Sequence, residues 1–225
     1  MAILDNRKNL RSFGRINGRA MGLEGQHLLM NVLPGYLINP GELRARNEVN
    51  YLEIGFGYGE SLIRRALDEQ SANHIGCEVY SRGVVNLLGL ILARGVENIR
   101  IFNGDARIFL EEAGNEYFDE IFVLFPDPWP KRKQMKKRIV DGSFLELTHR
   151  KLKTGGAVFF ATDSEDYAKS ILSLMDNSRL FGPVPANPDE CRGEPAWWIE
   201  TRYQEKAKKS GRETFFIEGR TCRTI

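Results

Sequence analysis

Apolar positions along this chain keep two alternating rhythms. Consecutive apolar residues cluster at 49–54, 74–79, 98–102, 118–125 and 157–161, which is how strands covered on both faces read. Between them the spacing becomes helical. Residues 61–67 put Leu62, Ile63, Ala66 and Leu67 on one face, and residues 82–94 do the same with Val84, Val85, Leu88, Ile91 and Leu92. Alternating strands and helices predict right-handed crossovers and a mostly parallel sheet with helices on both faces, an α/β fold. Thr154, Gly155 and Gly156 are expected to turn the chain between a helix at 144–152 and the fifth strand. Residues 181–195, rich in Pro, Gly and Asn, read as a loop. Residues 196–199 and 213–218 are candidates for the last two strands, with the basic stretch 202–212 between them as a short helix.

A length of 225 residues suits one domain. We expect a basic N-terminal arm and lead-in at 1–45 and a catalytic α/β core at 46–225. No apolar run approaches the roughly 20 residues that span a bilayer, and the first 20 residues carry charge throughout, so neither a membrane span nor a signal peptide is expected. Cys77, Cys191 and Cys222 lack metal-ligand spacing, and His27, His74 and His149 are scattered. A cytoplasmic, metal-free protein is the expectation, monomer or homodimer, with the histidines as packing or surface residues.

Charge changes the picture once it is placed along the chain. Residues 1–20, 131–138 and 202–212 hold 16 of the 32 Lys and Arg, yet only Asp5 and Glu205 among the 30 acids. Three cationic segments on an acidic body suit a local contact with a polyanion. One of them follows directly on Phe125-Pro126-Asp127-Pro128-Trp129-Pro130. Asp127 then stands at the carboxyl end of a buried strand, where open α/β sheets bind ligands. Its carboxylate can accept from ring and amino N–H groups, and Trp129 offers a stacking face. That set suits a nucleobase on a phosphate backbone.

A second site is written at the ends of the first three strands. Glu53-Ile54-Gly55-Phe56-Gly57-Tyr58-Gly59 is a glycine turn entering a helix, but its glycines alternate strictly, unlike the dinucleotide fingerprint. Glu53 would oppose a pyrophosphate and attract a ligand with ammonium and sulfonium charge, such as S-adenosylmethionine. Glu78, after the second strand, suits both ribose hydroxyls, and Asp105, followed by Ala106 after the third, suits an adenine amino group. Asp163 closes the fifth strand on the same edge as Asp127.

Together these residues resemble the class I S-adenosylmethionine-dependent methyltransferases, and within them the bacterial tRNA (guanine-N7-)-methyltransferases of the TrmB type. The likeness runs from Arg11-Ser12-Phe13 through 52–59, Gly76-Cys77-Glu78-Val79, Asp105-Ala106, 125–138 and Ala161-Thr162-Asp163 to Thr201. It implies a Rossmann-like sheet of seven strands, the last antiparallel, and methylation of a guanosine in the tRNA variable loop. It implies Glu53, Gly55, Gly57, Glu78, Asp105, Ala106 and Asp127 around the cofactor, with Asp127 as the active-site acid. Lys131, Asp163, Thr201, Arg202, Tyr203 and Gln204 are implied as substrate contacts. Where the family commonly has Thr-x-x-Glu, this chain has Gln204 and then Glu205, so either a one-residue register change restores the carboxylate or Gln204 replaces it as a neutral acceptor. Gln134 stands at or near a family histidine. The alternatives weighed beside this reading are a methyltransferase acting on an exocyclic amine and a non-catalytic RNA-binding protein of the same fold.

Overall fold

The computed structural model describes residues 21–44, 47–196 and 198–222. The arm at 1–20, with the expected Arg11-Ser12-Phe13 block, lies outside them, as does Trp197. A short helix, α1 (Leu23–His27), runs through further helical turns to Gly35. The core then alternates: β1 (Asn50–Ile54), α2 (Glu60–Asp68), β2 (Asn73–Cys77), α3 (Ser81–Arg94), β3 (Ile99–Phe102), α4 (Ala106–Glu112), β4 (Phe118–Leu124), α5 (Gly142–Lys151), β5 (Leu152–Thr162), α6 (Glu165–Ser178), α7 (Arg202–Lys209) and β6 (Phe215–Arg220).

The sheet order is β3-β2-β1-β4-β5-β6, with β6 alone antiparallel among the described strands. β1 lies at the centre, Leu52 facing Ile75 of β2 on one side and Ile121 of β4 on the other. Chain direction across the sheet switches between β1 and β4, so their carboxyl ends open a crevice where ligands of such sheets bind. One apolar layer packs Phe109, Phe118, Phe144 and Phe160 with α4, α5 and α6, and the other packs Phe56, Leu62, Leu87 and Ile91 with α2 and α3. Each such side chain, fully buried, contributes about 1.5–3 kcal/mol. These layers hold the strand ends in place. The lead-in protects the sheet as well, since Ile101 N–H donates to the Tyr36 carbonyl and Ile38 N–H to the Ile101 carbonyl, which covers the open edge of β3.

Three expectations need correction. The sheet has six strands among the described residues, not seven. The described residues of the expected strand at 196–199 form no ladder: Trp198 N–H bonds the Pro195 carbonyl in a turn, and the Trp198 ring instead covers Phe216 of β6, 4.7 Å away between centroids. The glycine pair at 155–156 does not precede β5 but lies within it. Leu152 pairs with Phe118 and Ala157 with Glu120, so the extra residues bulge, Gly155 taking φ +80°. The histidines behave as packing and surface residues: His149 meets Phe181, buried His74 meets Tyr51, and His27 bonds Asn31.

Candidate active site

A cavity of about 320 Å3 opens at the switch point, within the usual size of small-molecule sites. Its walls bring together predicted Gly55, Gly57, Glu78, Ala106, Asp127 and Tyr203 with Trp129 and Lys137. The glycine turn and the Pro-Asp-Pro-Trp turn, 70 residues apart, thus face one space.

The turn at 55–59 is shaped by its neighbours. Gly55 and Gly57 take φ +70° and +57°, which side chains disfavour, and Gly55 N–H donates to the Cys77 carbonyl at 2.8 Å. The first turn of α3 comes so close that a Cβ on Gly83 would collide with the Gly57 oxygen. Asn86 of α3 donates to the Tyr58 carbonyl at 2.7 Å. Glu78 completes the brace: Gly57 N–H donates to Oε2 at 2.8 Å, and Val79 and Tyr80 N–H donate to Oε1 at 2.8 and 2.9 Å. These bonds use three of a carboxylate's roughly four acceptor sites, leaving one for a ribose hydroxyl. Burial raises the Glu78 pKa, the three N–H groups lower it, and nearby Asp127 raises it again.

Glu53 does not line the main cavity. It borders a smaller adjoining one with Gly55, Ser61, Thr201 and Tyr203. It is 4% exposed and its Oε2 makes no hydrogen bond. Burial pushes its pKa up to about 7, against the pull of Arg65 and Ser61. A buried carboxylate with one oxygen unbonded, behind a glycine cradle, fits a ligand that brings its own ammonium charge. Asp105 is fully buried and caps α4, accepting from Arg107 N–H at 2.8 Å; its neighbours Gly104 and Ala106 form the wall.

At the Pro-Asp-Pro-Trp turn, Asp127 is exposed at the cavity and partial burial raises its carboxyl pKa. Phe125 and Trp129, two residues either side of it, have φ +50° and +41°. Phe125 N–H is tied to the Ala161 carbonyl at 2.7 Å. Arg138 reaches back under the turn, its Nε donating to the Pro128 carbonyl at 2.8 Å while the guanidinium pairs with Asp166 and lies over the Tyr167 ring. It is 5% exposed, so the last cation of the basic run serves the turn. Lys131, Arg132, Lys133 and Lys136 are exposed, and Lys137 Nζ sits 4.7 Å from the Trp129 ring centre.

The remaining expected substrate residues are occupied within the protein. Asp163 pairs with Arg212 at 2.5 Å. Thr201 caps α7, its Oγ1 accepting from Gln204 N–H. Arg202 pairs with Glu60 and lies 4.0 Å over the Tyr58 ring. Gln204 is 2% exposed, accepts from Trp198 Nε1 and donates to Glu194, both at 2.7 Å. Glu205 is exposed and pairs with Lys209 at 3.6 Å. Only Tyr203 of this segment lines the main cavity. Sequence reasoning missed Tyr58, Tyr80 and Phe125 as wall residues; the signal was an aromatic residue beside each strand-end motif.

A family described as "Putative methyltransferase" matches residues 47–217. A tRNA (guanine-N(7)-)-methyltransferase of Hyphomonas neptunium is 36% identical over 204 residues, covering 88% of this chain and 93% of its own length. The protein of that name from Rhizobium etli is 36% identical over 215 residues, covering 91% and 93%. Among solved structures, the 16S rRNA methyltransferase KamB shares the fold with a TM-score of 0.55 at 12% identity, over 78% of this chain and 88% of that one.

Proposed function

The chain belongs to the tRNA (guanine-N7-)-methyltransferase family, and we propose that it methylates N7 of a guanosine in the tRNA variable loop, with S-adenosylmethionine as donor. The observation that carries the reading is the single cavity joining the glycine turn braced by Glu78 to the turn that bears Asp127. Residues 46–225 act as one catalytic unit in this reading, because both turns hang from one sheet.

S-adenosylmethionine, when bound, supplies an electrophilic methyl on a sulfonium sulfur. Gly55, Gly57, Glu53, Glu78 and Ala106 would hold it. Guanine N7 carries an in-plane lone pair and no proton, so no residue has to act as a general base. What the protein must do is position and stabilise. Asp127, which lines the same cavity as the glycine turn, can accept from the guanine N1–H and amino group, which selects against adenine. As the ring gains positive charge, the same carboxylate stabilises it, more strongly for being partly desolvated. Lys131, Arg132, Lys133 and Lys136 offer four exposed cations to the phosphates around the target base.

Incubating the full-length protein with labelled S-adenosylmethionine and unmodified tRNA, then digesting to nucleosides, tests cofactor, substrate and position together. N7-methylguanosine, which is cationic and opens in alkali, is the expected product. A label on an exocyclic amine, or cofactor binding with no label on any RNA, would overturn the proposal.

A further inference from the structure

We propose that Tyr203 belongs to the cofactor side of the site, its ring forming a wall against the sulfonium methyl of S-adenosylmethionine. The inference rests on the methyl-transfer reading above and departs from the family resemblance, which assigns residues 201–204 to the substrate. In this chain Thr201 is spent on capping, Arg202 on Glu60 and Tyr58, and Gln204 on Trp198 and Glu194. Tyr203 is the member left facing the cavity, with 42% of its surface exposed.

Its position is set from both sides. The ring leans on the glycine turn, so that a Cβ on Gly57 would meet Tyr203 Cε2 at 3.2 Å and the phenol oxygen at 3.3 Å. Phe125 backs it, the rings stacked at 6.1 Å with planes 24° apart. Arg202, the preceding residue, fastens the start of α7 to the helix that follows the turn through Glu60. Burial chiefly, and then the charges of Glu78 and Glu60, raise the phenol pKa. An aromatic ring between a glycine cradle and the reacting space offers its quadrupole to a desolvated cation. The sulfonium is cationic before methyl transfer and a neutral thioether after it. Tyr203 therefore discriminates the donor from its spent form.

Calorimetry with S-adenosylmethionine and with S-adenosylhomocysteine, which lacks the methyl and its charge, tests this on the wild type, Tyr203→Phe and Tyr203→Leu. The phenylalanine variant is expected to keep both affinities within about twofold. The leucine variant should bind S-adenosylmethionine roughly five- to tenfold more weakly, the size of a desolvated cation–π contact, and S-adenosylhomocysteine less than about twofold more weakly. Equal losses for both ligands, or no loss for either, overturn the assignment. So does a raised KM for tRNA with both affinities unchanged, since the ring would then serve the RNA. A wild-type protein that binds neither ligand would overturn the methyl-transfer reading itself, and shows before any variant is made.

Discussion

The two halves of the cavity are built on opposite plans. At the ends of β1, β2 and β3, Glu53, Glu78 and Asp105 are all less than a tenth exposed, and the latter two are held by backbone N–H groups. Beyond β4, Asp127 is only partly covered, and Lys131, Arg132, Lys133 and Lys136 stand in solvent, on a turn and a short helical coil. A small ligand of fixed shape is served by groups set in advance, because donors locked by the sheet need no ordering when it arrives. A large polyanion is served by exposed cations, whose attraction acts at a distance and tolerates movement.

Three variants sharpen that contrast. Asp127→Ala should cost the most, a fall in kcat of about 100- to 1000-fold, as for loss of a preorganised charge-stabilising group, with cofactor affinity changed less than about threefold; steady-state kinetics and calorimetry read the two separately. Gly83→Ala strikes the rigid half without touching ligand. Its Cβ would press on the Gly57 oxygen, and moving packed backbone costs about 1–3 kcal/mol, so cofactor binding should weaken about tenfold with a lower melting temperature. An unchanged affinity would mean that the turn adapts, and the contrast would fail. Lys131→Gln should have the mildest effect: tRNA affinity drops a few-fold, and the slope of log affinity against log salt falls by about 0.7–0.9, one phosphate contact's worth. An unaltered slope would remove this lysine from the interface.

Much of this arrangement was legible beforehand, for physical reasons that differ by element. The five parallel strands showed because burial on both faces favours runs of mostly apolar residues, and 118–125 became β4 at Phe118–Leu124 with little change. α7 showed as a break in pattern between apolar segments, and formed at Arg202–Lys209. Trp198 misled because an apolar residue reads alike whether it joins a ladder or covers one. Arg138 misled in the opposite sense: in a list of charges it equals Lys131, and only the fold shows that its guanidinium lies over Tyr167 and under Pro128. Gln204 and Glu205 looked interchangeable in sequence, yet one sits inside, bonded to Trp198, and the other faces water. Local pattern carries which face is buried. It does not carry which distant group a polar atom will meet.

The clamp under the Asp127 turn bears on how such a site can be transplanted. Two non-glycine residues at positive φ bracket the aspartate, a shape that costs each of them roughly 1–2 kcal/mol on its own. It is held by a carbonyl bond to an arginine ten residues downstream, which is itself anchored on Asp166 and Tyr167 of α6. A graft of the six-residue turn alone onto another scaffold would relax and lose the aim of its carboxylate. The portable unit is the turn, its arginine and the first turn of α6, three pieces scattered over some forty positions that must travel together.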